Sequence, residues 1–118
     1  MNSHELQERL LEFSTVVIKI TENLPNTSAA HNLSNQLVRS ATSVSLNYGE
    51  AQSGESRKDF VHKLRIVLKE LRETYAGLRL IETACQNNNP KQLKAITKEC
   101  NELIAIFVAS IKTASAKL

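Results

Sequence analysis

A chain of 118 residues, of which 42% are hydrophobic and 23% charged, has the size and composition of one soluble globular domain. The formal net charge is only +3, but residues 1–55 carry −3 and residues 56–118 carry +6, which favours an anionic partner for the second half. The sequence contains neither a run of about 18 consecutive apolar residues nor a signal-peptide pattern. A cytoplasmic protein without a membrane span is therefore expected, with Cys85 and Cys100 as free thiols.

The first predicted element is an acidic helix over about residues 3–23. Asn2 and Glu5 resemble a capping pair at its start, and Pro25 stops it because a residue before proline is pushed out of the helical region. Its apolar residues recur at alternating steps of four and three, the spacing of a bundle seam: Leu6, Leu10, Phe13, Val17, Ile20 and Leu24.

A second helix is predicted over residues 28–52. The middle of this helix is rich in small residues, which allows a neighbouring helix to approach closely: Ser40, Ala41, Thr42, Ser43 and Ser45. Gly49 costs about 1 kcal/mol relative to alanine inside a helix, so it suggests crowding at that point, although a tolerated glycine explains it equally. The predicted inner face consists of Leu33, Leu37, Ala41, Val44, Tyr48 and Ala51.

The third helix, predicted over residues 56–87, carries two stripes. Gly54 and the capping box formed by Ser56 and Asp59 mark its start. One stripe is apolar and has helical period: Phe60, Leu64, Val67, Leu68, Leu71, Tyr75, Leu78 and Ile81. The other stripe is basic: Lys58, His62, Arg65, Lys69, Arg72 and Arg79. A solvated helix face with partners four residues apart explains the basic stripe as well as a binding surface does.

A fourth helix is predicted over residues 90–117, with Asn89 as its N-cap and Pro90 at its first position. Its apolar stripe again has steps of three and four: Leu93, Ile96, Cys100, Leu103, Phe107, Ile111 and Ala114. Four long helices joined by short turns predict an all-α, antiparallel, up-down-up-down four-helix bundle that forms a single domain over residues 1–118. Several apolar residues exceed what one core can bury, which favours a subunit interface over scattered surface residues: Ile18, Val38, Leu46, Ile66, Leu80, Ile104, Ile106 and Val108.

Catalytic and metal chemistry find little support in the sequence. The three histidines are dispersed, glycine-rich phosphate loops are absent, and the spacing of Asp59 and His62 is the only one comparable to a di-metal bundle motif. No catalytic residue, cofactor or metal is therefore predicted, which leaves binding to a nucleic-acid backbone or, alternatively, a protein-interaction scaffold. The predicted phosphate contacts are Arg57, Lys58, Lys63, Arg65, Lys69, Arg72 and Arg79, with Lys91, Lys94 and Lys98 secondary.

Residues 36–82 resemble a known family. The matching residues are Gln36, Arg39-Ser40-Ala41, Asn47, Glu50, Ser56, Asp59-Phe60, Glu70-Leu71-Arg72-Glu73 and Leu78. In the order and spacing of these residues, the chain resembles the four-helix-bundle proteins encoded in intervening sequences of bacterial 23S ribosomal RNA genes. The accessory variability determinant of diversity-generating retroelements belongs to the same superfamily. The chain departs from the family pattern at Ala51, where glycine is usual, and at Glu70, where serine is common.

The resemblance implies a closed bundle that assembles into a homopentameric ring, a positively charged surface for RNA or DNA, and no catalytic activity. The matching polar residues Arg39, Asn47, Glu50 and Glu73 are predicted to form one hydrogen-bonded network between the second and third helices. A buried Arg39 would require at least one of these carboxylates as its partner. Arg39→Leu is therefore expected to destabilise the bundle more than it affects any ligand.

Overall fold

The protein consists of four long helices in a computed structural model, which describes residues 1–85 and 89–118. Side chains cap the helix N-termini: Asn2 accepts a hydrogen bond from the Glu5 amide at 2.8 Å, and Ser56 accepts one from the Asp59 amide at 3.1 Å. Asn89 likewise caps the helix that begins at Pro90. The helices are α1 (Ser3–Thr21), α2 (Ser28–Gln52), α3 (Arg57–Ala84) and α4 (Pro90–Ser115).

The helix boundaries lie close to the predicted ones, with differences at the C-terminal ends. Helix α1 ends at Thr21 rather than 23, and α4 ends at Ser115 rather than 117. Helix α3 ends at Ala84, and Cys85 has extended backbone angles. Residues 86 and 87 of the predicted third helix lie outside the described residues. These differences of two or three residues leave the predicted faces of the helices unchanged.

The helices form an antiparallel bundle in which each helix packs against the next and α4 returns to α1. The all-α four-helix fold expected from the sequence is confirmed. The bundle measures 47 × 23 × 20 Å, and the seam between α1 and α4 is the least extensive of the four. Because α3 and α4 pack against each other along the bundle, their outer sides form one long surface to which both helices contribute side chains.

The core contains the apolar stripes that the sequence predicts. On α1 and α4 the stripe residues from Leu6 to Ile20 and from Leu93 to Ala114 are buried. Phe107, which is fully buried, meets Tyr48 edge to face with ring centroids 5.6 Å apart. On α3, however, Phe60 and Tyr75 are only partly buried at the edge of the core.

Small and polar residues allow α2 to approach both of its neighbours. Ser14 of α1 donates a hydrogen bond to the Ala41 carbonyl of α2 at 2.7 Å, and Ser40 of α2 lies 2.8 Å from the Thr74 hydroxyl of α3. The closest approach occurs at Gly77, where an added Cβ would lie 2.7 Å from a methyl carbon of the buried Leu37. The crowding suggested at Gly49 is thus found at Gly77, since a Cβ at position 49 would meet only the Gln7 side chain, at 3.5 Å.

Several large apolar side chains remain exposed, as the surplus in the sequence indicated. Leu46 is 64% exposed and Leu11, which the sequence analysis did not assign to this surplus, is 54% exposed. Because Ser45 donates to the Leu10 carbonyl, Leu11 and Leu46 lie at the same level of the bundle, on α1 and α2. The other exposed members of the predicted surplus are Val38, Leu80 and Val108, whereas Ile18, Ile66, Ile104 and Ile106 are partly buried.

Among the described residues, no helix is long and apolar enough to cross a membrane.

An ion pair holds the α1–α4 seam together. Arg9 of α1 donates from Nε and Nη2 to the two carboxylate oxygens of Glu99 on α4, each at 2.7 Å. Glu102 lies 3.5 Å from the same guanidinium. Side-chain exposures of 31% for Arg9 and 26% for Glu99 place this bidentate pair at the edge of the core. The pair thus joins the two helices with the least extensive packing and stabilises the closed bundle.

Acidification is expected to weaken this seam. The hydrogen bond from Arg9 lowers the pKa of Glu99 below its ordinary value of 4.5. Because the pKa is lower in the folded state, the stabilisation is fully present above the ordinary value and is lost as the pH falls through the folded value. The free energy of unfolding of the wild type should therefore exceed that of Arg9→Met by a constant amount near neutral pH and by less below about pH 4. Urea unfolding across a pH series measures this difference, and a difference that persists at about pH 2 would contradict the assignment.

Candidate nucleic-acid interface

Helix α3 presents four cations at intervals of seven residues. Lys58, Arg65, Arg72 and Arg79 are all exposed. At 1.5 Å per residue, successive members are about 10.5 Å apart and the whole series spans about 31 Å. The last three directly follow the buried Leu64, Leu71 and Leu78. Since one residue turns a helix by about 100°, burying these leucines directs the following cation to the outside of the bundle.

Three cations surround a shallow apolar depression in the middle of this series. Arg65, Lys69 and Arg72 line it together with Leu68, Ala76 and Glu73, and its volume is about 540 Å³. The Glu73 carboxylate is paired with Arg39 of α2. Arg65 also donates to the Ser115 hydroxyl of α4 at 3.2 Å, which keeps its guanidinium over the α3–α4 seam. No carboxylate within 4 Å pairs with any of these three cations among the described residues. Their positive charge is therefore directed at solvent.

Helix α4 adds cations on the same side. Lys94 and Lys98 line a groove of about 320 Å³ with Tyr75 and Arg79 of α3. At the opposite end of the seam, Arg57 lines a second groove with Phe60 and Lys117. Lys91 is exposed in the first turn of α4. The cationic face is defined here as Arg57, Lys58, Arg65, Lys69, Arg72, Arg79, Lys94, Lys98 and Lys117.

Lys63 does not belong to the cationic face, although the sequence placed it among the phosphate contacts. Its ammonium lies 2.7 Å from a carboxylate oxygen of Glu50 on α2. Lys63 is two positions before Arg65, so it lies about 160° away around the helix and faces α2. Its charge is compensated by Glu50.

The predicted polar network divides into separate groups. Arg39 contacts Glu73 at 2.7 Å, which was predicted, and Glu70 at 3.3 Å, which was not. Asn47 instead donates to the Ser43 carbonyl on its own helix, and Glu50 pairs with Lys63. Arg39 and Asn47 are eight residues apart, about 12 Å along α2, so one carboxylate of α3 cannot reach both.

Arg39 itself is not buried, although the need for a carboxylate partner was argued from a buried arginine. Its side chain is 59% exposed, whereas the side chain of its partner Glu70 is only 8% exposed. The group that requires a partner is thus the Glu70 carboxylate, because a buried charge without compensation is costly. Arg39 and its carboxylates therefore serve the α2–α3 packing.

Two residues that line the grooves along the cationic face were missed as binding residues in the sequence. Tyr75 fits the apolar stripe of α3 by period, and only the position of α4 shows that it faces a groove between cations. Lys117 lies beyond the end of α4, and antiparallel packing brings it to the start of α3. The position of Lys117 could have been predicted from the sequence, because the predicted antiparallel topology places the C-terminus beside residue 57.

Comparison with known proteins identifies the family of the chain and a similar solved structure. The model of the family described as 23S rRNA-intervening sequence protein matches residues 3–109. The fold is similar to the crystal structure of a Bacteroides thetaiotaomicron protein of unknown function from the S23 ribosomal protein family. The TM-score is 0.81 at 32% sequence identity, over 95% of this chain and 99% of that one. No curated protein shows significant similarity to the chain.

Proposed function

Because the chain belongs to the 23S rRNA-intervening sequence protein family, we propose that it is a non-enzymatic, oligomeric protein of the bacterial cytoplasm that binds RNA or DNA through the phosphate backbone. The cationic face is the observation that supports this function. It combines a series of cations on α3 with lysines of α4 on one side of the bundle. Among the described residues, no carboxylate lies within 4 Å of these α3 cations. Cations that meet successive phosphates release condensed counterions, which gives attachment that is independent of sequence.

The packing of α3 favours contacts to phosphates over contacts to base edges. A helix that reads bases enters the major groove, which is about 12 Å wide and accommodates a helix about 10–12 Å across. Helix α3 packs against α2 on one side and α4 on the other, and its exposed part is a single stripe. It can therefore lie on a nucleic-acid surface without entering a groove, so binding should discriminate little between sequences.

Self-association, with a pentamer as the proposed assembly, is supported by the apolar side chains that the isolated chain leaves exposed. Leu11, Val38 and Leu46 lie on α1 and α2, away from the cationic face. An interface on that side would cover them and leave the cationic face of every copy accessible. The same exposed residues favour the second candidate function, a protein-interaction scaffold that does not bind nucleic acid.

The non-enzymatic part of the proposal is supported by the state of the buried Cys100 thiol. Burial raises the pKa of Cys100 to about 12, and its sulfur donates to the Leu71 carbonyl. Such a thiol carries almost no thiolate at neutral pH and is a poor nucleophile. Among the described residues, no group of three or more His, Cys, Asp or Glu side chains is arranged to hold a metal ion.

Sedimentation with and without a structured RNA, across a salt series, tests the proposal. We expect an RNA complex at low salt whose affinity falls steeply as salt rises. Each phosphate contact contributes about −0.7 to the slope of log K against log salt concentration for a single strand and about −0.9 for B-form DNA. The same measurement on the protein alone reports the assembly state. Failure to bind RNA or DNA even at low salt would overturn the proposal in favour of the scaffold.

A further inference from the structure

Both partly exposed aromatic rings of the protein lie beside cations on the α3–α4 seam. All five aromatic side chains are among the described residues, and Phe13, Tyr48 and Phe107 are at most 4% exposed. Phe60 and Tyr75 lie at the edge of the core and line the two grooves at opposite ends of the seam.

The groove around Tyr75 combines the groups that a nucleotide requires. Arg79, one turn further along α3, donates to the Tyr75 hydroxyl at 3.4 Å, so the guanidinium is held beside the ring. Lys94 and Lys98 line the groove from α4. An aromatic face can stack on a base while nearby cations meet its phosphates. Glu82 is the one carboxylate that lines this groove among the described residues, and it lies toward the end of α3.

The groove around Phe60 repeats this arrangement. Arg57 and Lys117 line it from α3 and from the C-terminal end of the chain. Phe60 and Tyr75 are fifteen residues apart on one helix, or about 22 Å. The exposed Arg65, Lys69 and Arg72 occupy the stretch between them. The two ring-and-cation grooves are thus joined by a stretch of surface that carries three cations, and the one carboxylate lining this stretch, Glu73, is paired with Arg39.

We infer that the α3–α4 seam binds single-stranded nucleic acid, with unpaired bases stacked on Tyr75 and Phe60 and the intervening phosphates on the cationic face. This inference rests on the proposed function and adds the strandedness of the ligand. Bases inside a duplex are stacked on each other and offer no free face to an aromatic ring, whereas unpaired bases do. RNA and DNA share this chemistry, and the experiment uses both.

Fluorescence anisotropy with labelled oligonucleotides of about 16 nucleotides, within the range of known single-strand sites, tests the inference. The probes are an unstructured single-stranded RNA, a DNA of the same sequence, and the duplex of each. We expect the wild type to bind the single strands more tightly than the duplexes. Tyr75→Leu should weaken single-strand binding about tenfold or more and leave duplex binding unchanged. Tyr75→Phe, which keeps the ring, should bind as the wild type does.

Tyrosine fluorescence of the folded protein provides a second readout. The chain has no tryptophan, and its other tyrosine, Tyr48, is buried against Phe107. A base stacked on Tyr75 should quench the tyrosine emission of the wild type, and Tyr75→Phe should remove that quenching while keeping the affinity. Single-strand binding without quenching, or equal affinities of Tyr75→Leu and wild type, would overturn the stacking inference. Absence of binding to every probe would overturn the proposed function as well.

Discussion

Replacing Arg65, Lys69 and Arg72 together with glutamate is expected to abolish nucleic-acid binding at about 0.15 M salt. These three cations line one depression at the centre of the cationic face and have no carboxylate partner among the described residues. These substitutions remove three phosphate contacts and place negative, repulsive charge at the same positions. They also make the formal net charge, which is +3 in the wild type, negative. At low salt, any remaining binding should show a salt slope smaller by about 2–3.

A matched pair of single variants separates a local effect from a general effect of charge. Arg72→Glu and Lys19→Glu make the same change in charge at exposed helical positions, but Lys19 lies on α1, away from the cationic face. Arg72→Glu should weaken RNA binding, and Lys19→Glu should weaken it much less. Circular dichroism should show the helicity of all variants unchanged. Wild-type affinity in the triple variant would refute the assignment of the cationic face.

Truncation of Phe107 is expected to have the largest effect on stability. Phe107→Ala should lower the free energy of unfolding by about 3–5 kcal/mol, because it leaves a cavity in the core and removes a ring contact. Phe107 is fully buried and packs edge to face on Tyr48. A small domain has only about 5–15 kcal/mol of stability in total, so the variant should be close to unfolding.

The neighbouring residue is the control for this variant. Val108 is 43% exposed, and Val108→Ala should change the free energy of unfolding by no more than about 0.5 kcal/mol. Urea unfolding followed by circular dichroism, at one protein concentration because association contributes to stability, measures both variants. Similar losses for the two would mean that α4 does not face the core as described.

The amino-acid sequence predicted the parts of the molecule that depend on period and capping. The stripe from Leu93 to Ala114 is buried as expected because apolar residues at steps of three and four can share only one side of a helix. Asn2, Ser56 and Asn89 mark helix starts in the sequence and cap them in the structure. Such signals are local, so a single sequence contains them.

Features that depend on two helices at once could not be predicted in the same way. Lys63 is paired because Glu50, thirteen residues earlier on α2, accepts a hydrogen bond from it. The crowding of Gly77 is decided by Leu37, and the accessibility of Tyr75 by the position of α4. The exposure of Arg39 and the burial of Glu70 likewise depend on how α2 and α3 pack against each other. Helical period predicts the face of its own helix on which a residue lies, but it does not predict which residues of a neighbouring helix contact it.

The most direct test of the cationic face is the reactivity of individual lysines toward an acetylating reagent, measured by mass spectrometry with and without saturating single-stranded RNA at low salt. Lys58 and Lys69 on α3, and Lys94 and Lys98 on α4, are exposed in the free protein. We predict that RNA protects these four and leaves Lys19 on α1 as reactive as before. Unchanged reactivity of all five, or protection of Lys19 with the other four still reactive, would contradict a nucleic-acid interface on this face.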